Sequence, residues 1–205
     1  MKLVLILMVR NESRILERCL ESVKDAVDAF CIHDTGSTDN TCDIARAFLE
    51  KEGNKGCLTT SVWKDFGHNR TASFQAARDY LASTGWDLGI TYGLLLDADM
   101  VFHPGTLRSR HLTRTGYSIV QVAGELEYPN CRLIRMDYPW KCVGVTHEYW
   151  DGATEALPKS LCWIEDRNDG GCKSDKFERD ARLLEAGLAE NPNNERYVLP
   201  RADVS

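Results

Sequence analysis

Four apolar runs in the first hundred residues each stop at a polar cluster, and helical stripes separate them. LVLILMV runs into MVRNE, AFCIH into DTGSTD, LTTSVW into WKDFGHNR, and GLLL into DADM. A continuous apolar run is what a strand covered on both faces needs. Ile15, Leu16, Cys19, Leu20, Val23 and Val27 recur at helical spacing, as do Ile44, Ala45, Phe48 and Leu49. Phe74, Ala77 and Leu81, with Arg78, place a third helix around Thr71 to Leu81. Asn11 or Ser13 is expected to cap the first helix, and Asp39 the second. Strand and helix thus alternate four times. The reading is an α/β fold with a mostly parallel, right-handed central sheet and helices covering it. Ligands of such sheets bind beyond the carboxyl ends of the strands, and all four polar clusters lie at that rim.

After residue 103 the pattern changes. YSIVQVAG, CRLIRM and KCVGVTHEYW read as short strands without helices between them, an antiparallel or mixed extension. RNDGGCKSD is glycine-rich and polar, as expected of a mobile connection. KFERDARLLEAGLAENP closes as a helix with Phe177, Ala181, Leu184 and Leu188 on one face and Pro192 as its stop. The length of 205 residues suits one domain. Its expected parts are an alternating strand–helix half over 1–103, a second half over 104–170, and a helix and tail over 171–205.

A net charge of −6 excludes a broad basic grip on nucleic acid. The apolar opening from Leu3 to Val9 is far shorter than the roughly 20 residues of a membrane span, and no cleavage-site pattern follows it. The eight cysteines form no CxxC, so they read as buried thiols of a reducing, cytoplasmic protein.

In an extended segment, residues two apart point the same way, so Asp97 and Asp99 are expected to share one ligand. Two carboxylates this close repel, and a hard divalent cation, Mn²⁺ or Mg²⁺, is their natural partner. Asp34 can accept hydrogen bonds from a base or ribose, or close an Asx-turn. Arg70 can neutralise a phosphate or serve as a helix-surface charge. His147 and Glu148 are candidates for a metal ligand and a general base. Tyr138, Trp140, Tyr149 and Trp150 can stack on a sugar or fill the core.

These stretches, MVRNESRILERCLESV, HDTGSTDNTCDIA, WKDFGHNRTASF and LLLDADM, in this order and spacing, resemble a family 2 glycosyltransferase of the GT-A fold over residues 3 to 103. YPWKCVGVTHEYW and the closing helix resemble a subgroup often followed by tetratricopeptide repeats. The resemblance implies a Rossmann-like mixed sheet and a metal-dependent hexosyl or deoxyhexosyl transferase. It would move sugar from a nucleotide-sugar, most often a UDP-sugar, to a hydroxyl of a glycan, lipid or protein, with inversion. Further domains of a longer chain are possible partners. Val9, Glu12, Asp34, Ser37, Arg70, Asp97 and Ala98 would hold the nucleotide-sugar. Asp97, Asp99 and His147 would hold the metal, and Glu148 would deprotonate the acceptor.

Two other classes compete. A haloacid-dehalogenase-type phosphatase also carries DxD after a strand, but near the first strand and followed by a small hydroxyl residue; here Met100 and Val101 follow on the fourth. A nucleotide-sugar-binding domain without catalysis would bind UDP and transfer nothing. A dinucleotide oxidoreductase would need a glycine-rich loop where MVRNE stands.

Overall fold

The computed structural model describes residues 1–170, 176–192 and 194. Cys172, half of the RNDGGCKSD connection and most of the final tail lie outside the described residues. Eleven strands and four α-helices are described: β1 (Lys2–Val9), α1 (Leu16–Val23), β2 (Ala29–Asp34), α2 (Thr41–Lys51), β3 (Gly56–Thr60), α3 (Phe66–Ser83), β4 (Thr91–Leu96), β5 (Met100–His103), β6 (Gly116–Ala123), β7 (Leu126–Arg135), β8 (Cys142–Val143), β9 (Tyr149–Trp150), β10 (Glu155–Ala156), β11 (Trp163–Asp166) and α4 (Lys176–Glu190).

The main sheet runs β3-β2-β1-β4-β7-β6-β11-β5, with β10 beside β6. β3, β2, β1 and β4 are mutually parallel. The β6–β7 hairpin turns the sheet antiparallel at β4, while β11 and β10 lie parallel to β6. This is the mixed, mostly parallel α/β sheet that the alternation predicts. β1 explains why both faces are covered. Leu3, Leu5 and Leu7 point to the side of α1 and α2, packing with Leu16, Leu20, Phe48 and Leu49. Val4 and Ile6 point to the other, where Phe74, Ala77 and Leu81 of α3 close the second core. Residues 3–7 of β1, all of β2 and all of β4 are buried, because each has a helix or strand above it. LTTSVW, expected as a strand throughout, departs from this: β3 is only half-buried, ends at Thr60 before Ser61, Val62 and Trp63, and leaves Val62 88% exposed beyond it.

Four local readings change. Asn11 and Ser13 do not cap α1, which starts at Leu16 without a side-chain cap. Asn11 is left-handed at φ 56°, and its Oδ1 accepts from Thr38 N at 2.8 Å; Ser13 N donates to Asp39 at 3.2 Å. The two loops therefore bond each other, and their polar side chains serve the rim. Asn40, not Asp39, is the N-cap of α2 and makes no side-chain cap bond, while Asp39 one residue earlier accepts from Thr41 N at 3.0 Å. α3 begins at Phe66, five residues before the expected start at Thr71, because Asp65 caps it by accepting from His68 N at 2.7 Å. Arg70 consequently rides on a helix. Finally, KCVGVTHEYW makes a separate two-stranded sheet, β8–β9, with Thr146 to Glu148 in its loop. Leu184 of α4 is buried and Leu188 half-buried, as the stripe predicts, while the side chain of Phe177 lies outside the described residues. Among the described residues, no helix is long and apolar enough to cross a membrane.

Candidate active site

β1 lies between β2 and β4, so the chain leaves the sheet in opposite directions on its two sides. A cleft opens beyond that point, as open α/β sheets dictate. Its volume is about 310 Å³. The loop after β1 supplies Val9, Arg10 and Glu12, the loop after β2 Thr35, and the turn after β4 Asp97, Ala98 and Asp99. Trp63, Phe66 and Arg70 come from the start of α3, and Gln121, Tyr128 and Arg132 from the β6–β7 hairpin. Asp166, Asn168 and Gly170 close it from the end of β11.

Asp97 is the hub. Its Oδ1 meets Arg70 Nη1 at 2.8 Å and its Oδ2 meets Arg132 Nη2 at 3.2 Å. The arginine side chains are 16% and 9% exposed. Loss of water in the cleft floor pushes the Asp97 carboxyl up, but the two guanidiniums outweigh it and hold it well below the usual carboxylate range. The network continues both ways. Arg70 Nε donates to Glu148 Oε1 at 2.6 Å. Arg132 Nε donates to Gln121 Oε1 at 2.7 Å, and Gln121 Nε2 to Tyr128 OH at 3.3 Å.

The expected pairing of Asp97 with Asp99 on one metal changes here. β4 ends at Leu96, and DADM is a turn in which Met100 N donates back to Asp97 O at 3.0 Å. The two-residue repeat of a strand does not extend through it, so the carboxylates have different surroundings. Asp97 faces guanidiniums. Asp99 and Glu12 both approach the backbone after β11: a Cβ added to Gly170 would sit 3.1 Å from Asp99 Oδ2 and 3.6 Å from Glu12 Oε1. That backbone is anchored, since Arg167 N donates to Asp99 O at 3.1 Å and Arg18 grips Asp169 through two bonds of 2.7 and 2.6 Å.

His147 does not join them. It is exposed, sits at φ 50° in the β8–β9 loop and does not line the cleft. No three His, Cys, Asp or Glu side chains among the described residues are grouped to hold a metal ion. Glu148 lies behind Arg70, in a separate pocket of about 40 Å³ that shares Arg70 and Arg132 with the main cleft. Asp34 and Ser37 also differ from their expected place. Asp34 is 3% exposed and accepts from Gly36 N and Ser37 N at 3.0 Å, and from the Ser37 hydroxyl. It closes the Asx-turn, and Thr35 takes its place in the cleft lining.

The sequence reading passed over Arg10, Trp63, Gln121, Tyr128, Arg132 and Asp166. Trp63 and Phe66 meet edge to face at 4.9 Å, and the Arg10 guanidinium lies 5.9 Å from the Trp63 ring, which builds one aromatic wall. Both residues sat inside stretches already singled out, MVRNE and the run after LTTSVW. Arg132 carries a weaker signal, a charge inside the apolar alternation of CRLIRM.

Comparison with known proteins agrees with this layout. The family model described as Glycosyl transferase family 2 matches residues 4–169. The chain belongs to that family. A TPR repeat-containing protein of Synechococcus elongatus is 41% identical over 73 residues, 36% of this chain and 17% of that protein. The chain thus spans less than a fifth of that relative. S. aureus TarS shares the fold at TM-score 0.52 and 15% identity, over 92% of this chain and 40% of TarS. The mannosyltransferase PcManGT from Pyrobaculum calidifontis, solved with GDP-Man and Mn²⁺, does so at TM-score 0.53 and 15% identity, over 93% of this chain and 64% of that one. At such identity these two establish the GT-A fold, and the family 2 assignment rests on the sequence.

Proposed function

We propose that this family 2 glycosyltransferase domain moves a sugar from a nucleotide-sugar, a UDP-sugar in the first instance, to an acceptor hydroxyl with inversion, using a divalent cation held by Asp99. The observation that carries the proposal is the arrangement at the end of β4, where two guanidiniums hold Asp97 while Asp99 and Glu12 line the same cleft. Three arginines and four carboxylates line the cleft, all oxygen donors on the acidic side. Asp99 and Glu12 line the same cleft and supply hard oxygen donors there, which suit a divalent cation shared with a diphosphate. Mn²⁺ and Mg²⁺ commonly take one or two carboxylates and complete their shell with phosphate oxygens and water. Asp99 suits that role and Glu12 can support it; Asp97 and His147 are released from it. When bound, the cation would supply charge stabilisation for the leaving diphosphate.

The other roles belong to the chain. Trp63 and Phe66 form the base wall beside Val9, with Thr35 at the ribose end; Asp34 and Ser37 shape that loop from behind. Arg70 and Arg132 fix Asp97 and place positive charge where negative charge grows in the transition state. Glu148 is the proposed acceptor base, and its bond to Arg70 orients it from the second pocket. Asp166, which lines the cleft together with Asp99, is the second reading for the base. The division into a half over 1–103 and a half over 104–170 belongs to the same proposal, as do tetratricopeptide repeats beyond this chain.

The test is a screen of nucleotide-sugars with Mn²⁺, reading donor hydrolysis and saturation transfer. One UDP-sugar is expected to be hydrolysed slowly, with activity lost to a chelator and restored by Mn²⁺. Binding of UDP with no donor consumed would favour the non-catalytic reading, and phosphate release from a simple ester the phosphatase. The base is settled by comparing Glu148→Gln and Asp166→Asn. Glu148→Gln should keep donor affinity while transfer at saturating donor falls about 10²–10⁴-fold. If Asp166→Asn does this and Glu148→Gln does not, the base is Asp166.

A further inference from the structure

β2 and the edge strand β3 pair in parallel with Cys31 directly opposite Cys57. Registered partners on parallel strands put their side chains on one face, and neighbouring strands lie about 4.8 Å apart. That spacing is inside the range of roughly 4.4–6.8 Å between Cα atoms over which a disulfide closes. Both side chains take the α3 side, where Cys31 is core and Cys57 packs against it. Cys31 is 3% exposed, while Cys57 is half-buried on the outermost strand and open to a small reagent. The mutual influence of the two thiols, with burial, raises Cys31 well above an ordinary thiol, and it lowers Cys57 against the opposing effect of burial.

The other described cysteines lack this combination. Cys19 and Cys162 are buried in the opposite core. Cys131 and Cys142 lie in different sheets with no register between them, and burial pushes each up to about 12. All seven described cysteines are free. The glycosyl-transfer reading uses neither Cys31 nor Cys57.

We propose that Cys31 and Cys57 form a two-thiol modification site that hydrogen peroxide converts into a disulfide within the chain. The Cys57 sulfur, as thiolate, attacks one peroxide oxygen; the O–O bond breaks, water leaves and Cys57 becomes a sulfenic acid. The Cys31 sulfur then attacks the Cys57 sulfur, the S–S bond forms, the S–O bond breaks and a second water leaves. Two thiols lose two electrons and two protons, and one peroxide becomes two waters. The product staples the edge strand to its neighbour.

The test exposes the native chain to a small excess of hydrogen peroxide, alkylates the remaining thiols and maps the digest by mass spectrometry. The expected result is one cross-linked peptide pair joining Cys31 to Cys57, reversed by dithiothreitol, with other thiols still alkylated. The oxidised chain should melt higher by about 5–10 °C, since the closed loop restricts the unfolded state. In Cys31→Ser, a dimedone-reactive sulfenic acid should accumulate at Cys57, and in Cys57→Ser the Cys31 thiol should survive the same exposure. Oxidation of Cys57 to sulfinic acid with Cys31 still a thiol would overturn the proposal. So would a disulfide from Cys57 to any other cysteine or to a second chain, or absence of reaction at both.

Discussion

Replacing Asp99 with alanine is expected to cut metal-dependent turnover of the nucleotide-sugar by at least about 10³-fold, roughly 4 kcal/mol of transition-state stabilisation. The carboxylate sits in the turn after β4 against the Gly170 backbone, and it carries no core packing. Circular dichroism and the thermal midpoint should therefore stay near those of the parent. Mn²⁺ affinity, read by electron spin resonance of the free ion, should fall together with turnover. Asp99→Asn sharpens the test, because it keeps the shape and one acceptor oxygen but removes the charge. If either variant retains full turnover with Mn²⁺ binding intact, the cation is held elsewhere and the proposed role of Asp99 is wrong.

The second large effect is expected at Arg132, a residue that meets Asp97 from the hairpin. Arg132→Met removes one of two guanidiniums from a carboxylate that is 26% exposed. Asp97 then keeps Arg70 alone, and Gln121 Oε1 loses its donor. Removing a partner from a fully buried ion pair costs roughly 3–5 kcal/mol; partial exposure brings the expected loss of stability here to about 1–3 kcal/mol by denaturant unfolding. The loss in kcat/KM should be larger, about 10²-fold or more, because a turn released from its clamp misplaces Asp99 as well. Lysine should not rescue it, since one ammonium cannot bridge Asp97 and Gln121 as the planar fork does. A double-mutant cycle with Asp97→Asn should give a coupling above about 0.5 kcal/mol; additive effects would mean that Arg132 acts without Asp97.

The parallel half was readable because its signals are local. Leu3 to Val9 is apolar at every position, and the stripe from Leu16 to Val23 spaces four buried residues on one helix face. The rim followed from topology alone. What failed was side-chain direction at the ends of elements. Asp97 and Asp99 look like strand neighbours, but the strand stops one residue before them. Thr146 to Glu148 look like strand residues, yet the loop between β8 and β9 turns His147 outward at a left-handed backbone angle. Asn11 looks like a cap, and the DTGSTD loop takes its oxygen instead. Arg132 could not be assigned because its meaning depends on a carboxylate 35 positions earlier, brought close only when the hairpin joins β4.

The sequence separations in this ion cluster carry a consequence for how the molecule comes into being. Arg70 meets Glu148 across 78 positions, and Arg18 meets Asp169 across 151. Contacts of such long range close late, after the local helices have formed. During synthesis, Asp97 gains its second arginine only once β7 has emerged, and Arg18 gains Asp169 later still. The ion cluster of the cleft is therefore completed only by the second half of the chain.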